Sequence, residues 1–252
     1  MCETMSETIQ QGALYIVSTP IGNLDDITLR AIKILGGVDI IAAEDTRKTK
    51  FLLDHLGIKK PLVSHYSYNE SRRVPELINK LKSGNSVAVV TDAGTPGISD
   101  PAFLVISNAI KEGCKVIPLP GPSAVLPALI ASGLPTDRFV FEGFLPTKKG
   151  RKTRFEQLKT ETRTIIIYES PFRVEKTLEE ILLYLGDRTI AVARELTKKF
   201  EEVMRGRVSD IIDVVKRKKP KGEFVLVIEG VRDARDNGKT DVRLQFKEES
   251  DA

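Results

Sequence analysis

The sequence predicts an α/β protein of two domains: a mainly parallel, doubly wound N-terminal sheet, then a mixed-sheet C-terminal α/β domain. Three observations carry this. Short apolar runs of β type alternate through the first half with segments whose apolar residues recur at helical spacing. At Pro118–Ser123, PLPGPS, three prolines in six residues break any regular element. Beyond that break, apolar strands cluster with fewer helices between them. The expected domains are residues 12–119 and 120–231, with residues 1–11 and 232–252 as flexible tails.

Taken in order, ALYIVS is a strand that runs into STPIGN. Asn23 there reads as the N-cap of a helix carrying Ile27, Ala31, Ile34 and Leu35, stopped by Gly36–Gly37. VDIIAAE is a buried strand, TRKTKFLLDHL a helix closed by Gly57, and KKPLVSHY a weaker strand. Val74, Leu77, Ile78 and Leu81 repeat the helical stripe, and Gly84–Asn85 turns the chain into the strand SVAVV. The corner that follows, VTDAGTPGISDP, holds more glycine and proline than a strand-to-helix connection needs. Asp100 then caps a helix whose first residue is Pro101, the helical position proline tolerates best. CKVIPLP completes the first domain. In the second, the helix SAVLPALIASG precedes the strand FVFEGF, a basic loop and the strand TIIIYES. An amphipathic helix follows, with Val174, Leu178, Ile181, Leu182 and Leu185 on one side. TIAVARE, FEEVMRG and GEFVLVIEG are further strands, with the helix VSDIIDVVKRKK before the last.

No apolar run approaches the ~18 residues of a membrane span. MCETMSETIQQ has neither the basic end nor the apolar core of a signal peptide. Cys2 and Cys114 lie far apart and suggest neither a disulfide framework nor a metal cluster. A soluble cytoplasmic protein is the expectation. Net charge is only +4, but the cations are grouped. KKGRKTR, with Lys148, Lys149, Arg151 and Lys152, holds five in seven residues, and KRKKPK at 216–221 holds five in six. RKTK, with Arg47 and Lys48, and the pair Arg72–Arg73 are smaller groups. Such patches suit a phosphate-rich partner; the plainer reading is solvated helix ends, where cations are favoured anyway. KKGRKTR, in a glycine-containing loop, points to nucleic acid.

Open α/β sheets bind ligands beyond the C-terminal ends of their strands. Three loops rich in small residues fall at such ends: STPIGN (18–23), TDAGTPG (91–97) and PGPSA (120–124). None has the spacing of a dinucleotide or P-loop motif. They offer backbone amides, small hydroxyls and one acid, Asp92, which suits a zwitterionic ligand with a flat base. S-adenosylmethionine fits, as do many nucleotides, and plain tight turns are the alternative. Neither His55 nor His65 has metal-ligand spacing, so no metal is expected. Beside His65, Tyr66 or Tyr68 either stacks on an unpaired base or covers the sheet edge. Phe144 and Phe172 are expected in the core or a cleft wall.

The blocks LYIVSTPIGNLDDITLRA, AAEDTRKTKFLL, VTDAGTPGISDPAFLV, PLPGPSA, SGLPTDRFVFEGFLP, YESPFRV, ARELTKKFEE and KGEFVLVIEG, in this order, carry a resemblance. The chain, from about Gly12 to Gly230, resembles the tetrapyrrole methylase superfamily of S-adenosylmethionine-dependent methyltransferases, and within it the RNA branch. That resemblance implies 2′-O-methylation of the ribose of a cytidine in the decoding region of small-subunit ribosomal RNA. The substrate would be the RNA or the assembled small subunit, and the enzyme a homodimer. By position it assigns Pro20, Asp92, Ala93, Gly94, Thr95, Pro96, Ser123 and Ala124 to the cofactor, together with Tyr168, Glu169 and Ser170 at the end of a second-domain strand. Leu196 and Gly222, Glu223, Phe224 and Val225 match the region around the adenine. Tetrapyrrole enzymes more usually carry Gly-Asp-Pro where this chain has Gly94-Thr95-Pro96, so an acid is missing at the middle position. A tetrapyrrole-precursor methyltransferase and a non-enzymatic RNA-binding assembly factor are the alternatives.

A ribose hydroxyl is a poor nucleophile, so a general base is expected. Glu44 or Asp45 would accept or relay the proton while Arg47 holds RNA phosphate, with Lys198 the competing base if burial lowers its pKa. Tyr66 and Arg72 join Arg47, Lys48 and the Lys148–Lys152 cluster as RNA-binding candidates. The plainer reading is that Asp45 caps the helix starting at Thr46 and that Arg47 pairs with an acid.

Overall fold

The computed structural model describes residues 8–218 and 221–231. The expected tails at 1–7 and 232–252, Cys2, and Lys219–Pro220 of the KRKKPK cluster lie outside the described residues. Residues 8–11, expected in the first tail, are packed: Ile9 lies against the core and the Gln10 amide donates to the Tyr15 hydroxyl at 2.8 Å. The chain divides into two compact units between Ser123 and Ala124. The PGPS segment stays with the first unit because it is bonded there; the Thr95 hydroxyl, for example, donates to the Pro122 carbonyl at 3.0 Å.

The first unit is a five-stranded parallel sheet in the order β3-β2-β4-β1-β5. Its strands are β1 (Leu14–Val17), β2 (Ile40–Ala43), β3 (Leu62–Ser64), β4 (Val87–Val90) and β5 (Val116–Leu119). Helices α1 (Leu29–Gly37), α2 (Thr46–His55), α3 (Glu70–Lys82) and α4 (Ala102–Lys111) link them. Successive strand residues face opposite sides, so both faces of each central strand are apolar and both are covered. Tyr15, Val17, Ile41 and Val90 pack against α1 and α2 residues such as Ile34 and Leu53. Leu14, Ile16, Ala42 and Val89 pack against Leu77 and Ile78 of α3 and Val105 of α4. The division follows from chirality. From β1 the chain moves one way along the sheet to β2 and β3, then reverses to β4 and β5, and right-handed crossovers in opposite directions land on opposite faces. β1 and β4 are neighbours, so their loops leave toward opposite faces and open a crevice between them.

Local capping differs from expectation in two places. The Asn23 side chain caps only the single 3₁₀ turn Leu24–Asp26; Thr28 caps α1, its hydroxyl accepting from the Ala31 amide at 3.0 Å. Pro101 itself takes the N-cap position of α4, and Asp100 serves from one residue earlier, accepting from the Gly97 and Ala102 amides.

The second unit begins with α5 (Val125–Ser132) and builds a mixed sheet in the order β6-β7-β10-β8-β9. Its strands are β6 (Phe139–Phe144), β7 (Thr164–Glu169), β8 (Thr189–Arg194), β9 (Glu202–Arg207) and β10 (Phe224–Ile228). Only β6 and β7 pair in parallel; a helix joins them, and the other pairs are antiparallel. α6 (Arg151–Leu158), α7 (Val174–Leu185) and α8 (Val208–Lys218) cover one face, onto which Ile165, Ile167, Val192, Phe224 and Leu226 project. The opposite face carries small residues, Ala191 and Ala193, where α5 lies against β8 and β10. The basic segment expected as a loop begins α6 at Arg151, so only Lys148–Gly150 of it is loop.

Phe155, buried in α6, stacks on Tyr184 with ring centroids 5.4 Å apart and lies beneath the Arg151 guanidinium. Phe155→Ala is expected to destabilise the second unit by about 3–5 kcal/mol, the usual range for a truncated core aromatic. Urea denaturation checks this; a loss below about 1 kcal/mol would show that the α6–α7 contact is not part of the core.

Candidate functional site

The crevice between β1 and β4 is where the small-residue loops meet. Thr19 and Gly94 form a two-residue bridge, each amide donating to the other's carbonyl at 2.9 Å. The Thr19 hydroxyl donates to the Thr91 carbonyl at 3.0 Å. A relay of hydroxyls then joins all three loops: Ser18 Oγ donates to Thr95 Oγ1 at 3.0 Å, and Thr95 Oγ1 donates to the Pro122 carbonyl at 3.0 Å. Thr95 is therefore spent as a clamp between the loops. Two glycines make the approach possible. Gly94 has φ +85°, in the left-handed region, and a Cβ added at Gly121 would lie 2.8 Å from the Ser18 Cβ.

The carboxylates of the EDTR block brace this rim. Glu44 Oε2 accepts from the Thr91 hydroxyl at 2.5 Å and the Asp92 amide at 3.2 Å, tying β2 to the β4 corner. Asp92 in turn accepts from the Asp45 amide at 3.0 Å and from Lys48 Nζ at 2.7 Å. Asp45 is the N-cap of α2, and its carboxylate also takes the Arg47 guanidinium at 2.7 Å. Those bonds from Arg47 hold its pKa far below the usual carboxylate range. The Asp92 contact, led by its hydrogen bond, raises the Lys48 pKa. A cavity of about 600 Å³ opens here, lined by Thr19, Pro20 and Leu24, by Asp45 and the α2 residues Arg47–Leu52 except Lys50, and by Thr91 and Asp92. Pro20, Asp92, Asp45, Arg47 and Lys48 are among the sequence candidates, and Thr19 and Thr91 lie in the two loops singled out there; Leu24, Thr49, Phe51 and Leu52 are not. Their only sequence signal is position, after β1 or on the cavity side of α2.

In the second unit, the sheet register sets Glu169, Phe224 and Arg194 side by side on one rim, at the ends of β7 and β8 and the start of β10. The loops there are stitched together. The Glu195 and Glu223 backbones bond at 3.0 Å, and Lys198 Nζ donates to Glu195 at 2.8 Å and Glu223 at 2.9 Å. Burial pushes the Lys198 pKa down, but those two carboxylates outweigh it, so the net shift is upward and the ammonium stays protonated. That removes the condition on which Lys198 would serve as a base. Glu195 and Thr197, on either side of buried Leu196, both have left-handed backbones. Phe224 points into the core with α6–α8, so its side chain is withdrawn from any ligand, and Val225 is buried on the other face.

Glu169 and Arg151 also depart from their assigned roles. Arg151 is 6 % exposed. Its guanidinium donates to Glu180 at 2.7 Å, to the Thr177 hydroxyl at 2.7 Å and to the Pro146 carbonyl at 3.1 Å. Thr177 donates onward to Glu169 Oε2 at 2.7 Å, and Arg173 meets the other Glu169 oxygen at 3.3 Å while donating to the Leu145 carbonyl at 2.6 Å. Two cations and two anions thus cancel inside the fold, the condition under which buried charge is tolerated. Arg151 is too buried to meet RNA, and the Glu169 carboxylate, with no side-chain exposure, has none of its surface to offer a cofactor.

Among the other cations, Lys148, Lys149 and Lys152 are exposed, Arg72 faces solvent beside Glu76, and Lys216 and Lys218 of KRKKPK are ion-paired at the end of α8. Tyr66 and Tyr68 are both exposed, with ring centroids 6.5 Å apart. Phe172, expected in the core or a cleft wall, is 96 % exposed. Among the described residues, no group of three or more His, Cys, Asp or Glu is placed to hold a metal ion, and no helix is long and apolar enough to cross a membrane.

Comparison with known proteins agrees with this geometry. Residues 13–212 match the family model described as Tetrapyrrole (Corrin/Porphyrin) Methylases. The chain is 48% identical over 219 residues to the Thermotoga maritima "Ribosomal RNA small subunit methyltransferase I", covering 87% of this chain and 99% of that one. It is 50% identical over 220 residues to the Bacillus subtilis protein of the same name, covering 87% and 75%. Among solved structures, a cobalt precorrin-4 methyltransferase of cobalamin biosynthesis superposes with a TM-score of 0.64 at 19% identity, covering 86% of this chain and 95% of that one. A diphthine synthase does so with a TM-score of 0.67 at 14% identity, covering 86% and 90%. At those identities the likeness establishes the fold alone.

One buried group beside the rim makes a pH test available. His65 is 2 % exposed and neither ring nitrogen has a hydrogen-bond partner; the Pro101 carbonyl favours the protonated ring without reaching hydrogen-bond geometry. Burial lowers its pKa below 6.5; Glu70 and Asp100 oppose that shift and Arg73 adds to it. Well above pH 6.5 the ring is neutral folded and unfolded alike. Below it the unfolded chain gains a proton that the folded chain resists, so stability falls with pH. His65→Leu is expected to flatten the dependence of melting temperature on pH between about 7 and 5. Parallel curves for the two proteins would remove His65 as the cause.

Proposed function

The chain belongs to the tetrapyrrole methylase family, and we propose that it transfers a methyl group from S-adenosylmethionine to the ribose 2′-oxygen of a cytidine in the decoding region of small-subunit ribosomal RNA. The observation that carries this reading is the crevice between β1 and β4, where three small-residue loops are clamped open beside a cavity edged by Arg47 and Lys48. The names of the relatives that are about half identical supply the RNA; tetrapyrrole chemistry enters through the description of the broad family and likenesses of fold, and is not favoured.

Two features of the corner support a cofactor seat there. Gly121 leaves no room for a methyl group against Ser18, so the first and third loops pack directly on each other there. Gly94 holds a left-handed conformation next to exposed Ala93. We assign Asp92–Pro96, Pro20, Ser123 and Ala124 to the cofactor, which supplies a methyl group on a sulfonium. The adjoining cavity, within the ~300–1,000 Å³ usual for small-ligand sites, takes the target nucleotide, with its phosphates toward Arg47 and Lys48.

Displacement at a methyl carbon requires the attacking oxygen behind it, so positioning supplies much of the acceleration. Glu44 acts here as a positioning residue, fixing the Thr91–Asp92 corner through Oε2. Asp45 is a helix cap with a strongly lowered pKa, a poor proton acceptor. The chain works in the cytoplasm, on naked RNA or the assembled subunit, as a homodimer; exposed Phe103 and Ile110, two turns apart on α4, are the kind of surface a second copy covers.

The decisive experiment incubates the chain with labelled cofactor and small-subunit RNA, then maps the label by nuclease digestion and mass spectrometry. One ribose methyl on a cytidine is expected; label on a base, or none, overturns the reading. Gly121→Ala is expected to weaken cofactor binding about tenfold, the cost of overpacking by one methyl, and unchanged affinity by calorimetry would remove the corner from the site. Asp45→Asn keeps an equally good cap and is expected to hold turnover within about twofold; a hundredfold loss would restore Asp45 as the proton acceptor.

A further inference from the structure

We propose that the rim at the ends of β6 and β7 is a docking surface for single-stranded RNA, on which Phe172 stacks an unpaired base while Lys148 and Lys149 meet the backbone phosphates. The proposal deepens the RNA reading above and rests on it. Phe172 is 96 % exposed and Phe144, at the end of β6, is 54 % exposed. Phe144 pairs in register with Tyr168, which places the 145–150 and 170–173 connections on the same rim. Both exposed rings belong to this one rim beside the lysines, and an apolar patch edged by polar residues is the kind of surface that marks an interaction site.

The two connections are held rather than loose. The Arg151–Thr177–Glu169–Arg173 network, buried except for Arg173, donates to the Leu145 and Pro146 carbonyls, pinning the chain that leads to Lys148. Residues 170–173 form a closed turn, the Arg173 and Val174 amides donating to the Ser170 carbonyl at 3.1 and 3.0 Å. Phe172 is thus presented on a rigid support, which spares the ordering cost of binding. Lys148 and Lys149 are exposed, and among the described residues no carboxylate pairs with either ammonium, whereas their neighbours Lys152 and Arg154 meet Glu156 and Glu142. A flat hydrophobic face beside two uncommitted cations matches the chemistry of an unpaired base on a phosphodiester chain. An apolar protein partner would not use the lysines.

The test is fluorescence anisotropy with a labelled single-stranded RNA oligonucleotide on the intact chain, with cofactor affinity followed in parallel by calorimetry. Phe172→Ala is expected to weaken RNA binding by roughly 5- to 150-fold, the range for one lost base stack, and Phe172→Trp to restore it. Lys148→Gln combined with Lys149→Gln is expected to reduce the slope of log affinity against log salt by about 1.4. Cofactor affinity stays unchanged in all three, and Leu183→Ala, exposed near the end of α7, serves as the control with no effect. Wild-type RNA binding by Phe172→Ala overturns the proposal. So does a defect confined to the assembled small subunit, which would mark the rim as a protein contact. If the unsubstituted chain neither binds nor methylates RNA, the functional reading falls with it, and that failure is visible without any variant.

Discussion

The handedness of the crossover connections is the constraint from which the site follows. A right-handed β-α-β unit deposits its helix on a face set by the direction of travel along the sheet. The first unit travels one way from β1 and returns the other way to β4 and β5, so α1 and α2 cover one face and α3 and α4 the other. The reversal puts β1 beside β4 while their helices lie on opposite faces. No helix can cover the gap between those two strand ends, and the crevice is left open by topology rather than by any one side chain.

Keeping that crevice in shape falls to short polar residues. The Thr19–Gly94 bridge extends the sheet by one pairing past the strand ends, and the Ser18–Thr95–Pro122 relay adds the third loop. Each hydroxyl is both donor and acceptor, so a chain of two satisfies three loops without charge. The carboxylates next to it are spent in the same way: Glu44 on Thr91 and Asp92, Asp92 on Asp45 and Lys48, Asp45 on its own helix and Arg47. A rim this committed is suited to orienting a nucleophile more than to exchanging protons with it.

The second unit handles charge differently. Arg151, Thr177 and Glu169 are buried as a chain, closed at its two ends by half-buried Glu180 and Arg173. The spare guanidinium donors end on backbone carbonyls of a connection that would otherwise be a loose basic loop. Burial of Arg151 thereby serves the exposure of Lys148 and Lys149: the inner cation fixes the chain that carries the outer ones.

The sequence by itself determined the elements and the position of the rim. Apolar periodicity depends on near neighbours, so the stripes at Val74–Leu81 and Val174–Leu185 correspond to α3 and α7, and the small-residue loops stand out because so much glycine and proline gathers after apolar strands. Asp45 as a helix cap was likewise visible, since a cap is a contact two residues long. The tertiary structure decided which charged and aromatic residues are available. KKGRKTR reads as one basic run, yet Arg151 is removed from it by Thr177 and Glu180, 26 and 29 positions away. Lys198 is paired with Glu223, 25 positions on, and Phe172 is left bare by the described residues. Whether a side chain faces water is settled by contacts distant along the chain, and composition and spacing carry no record of those.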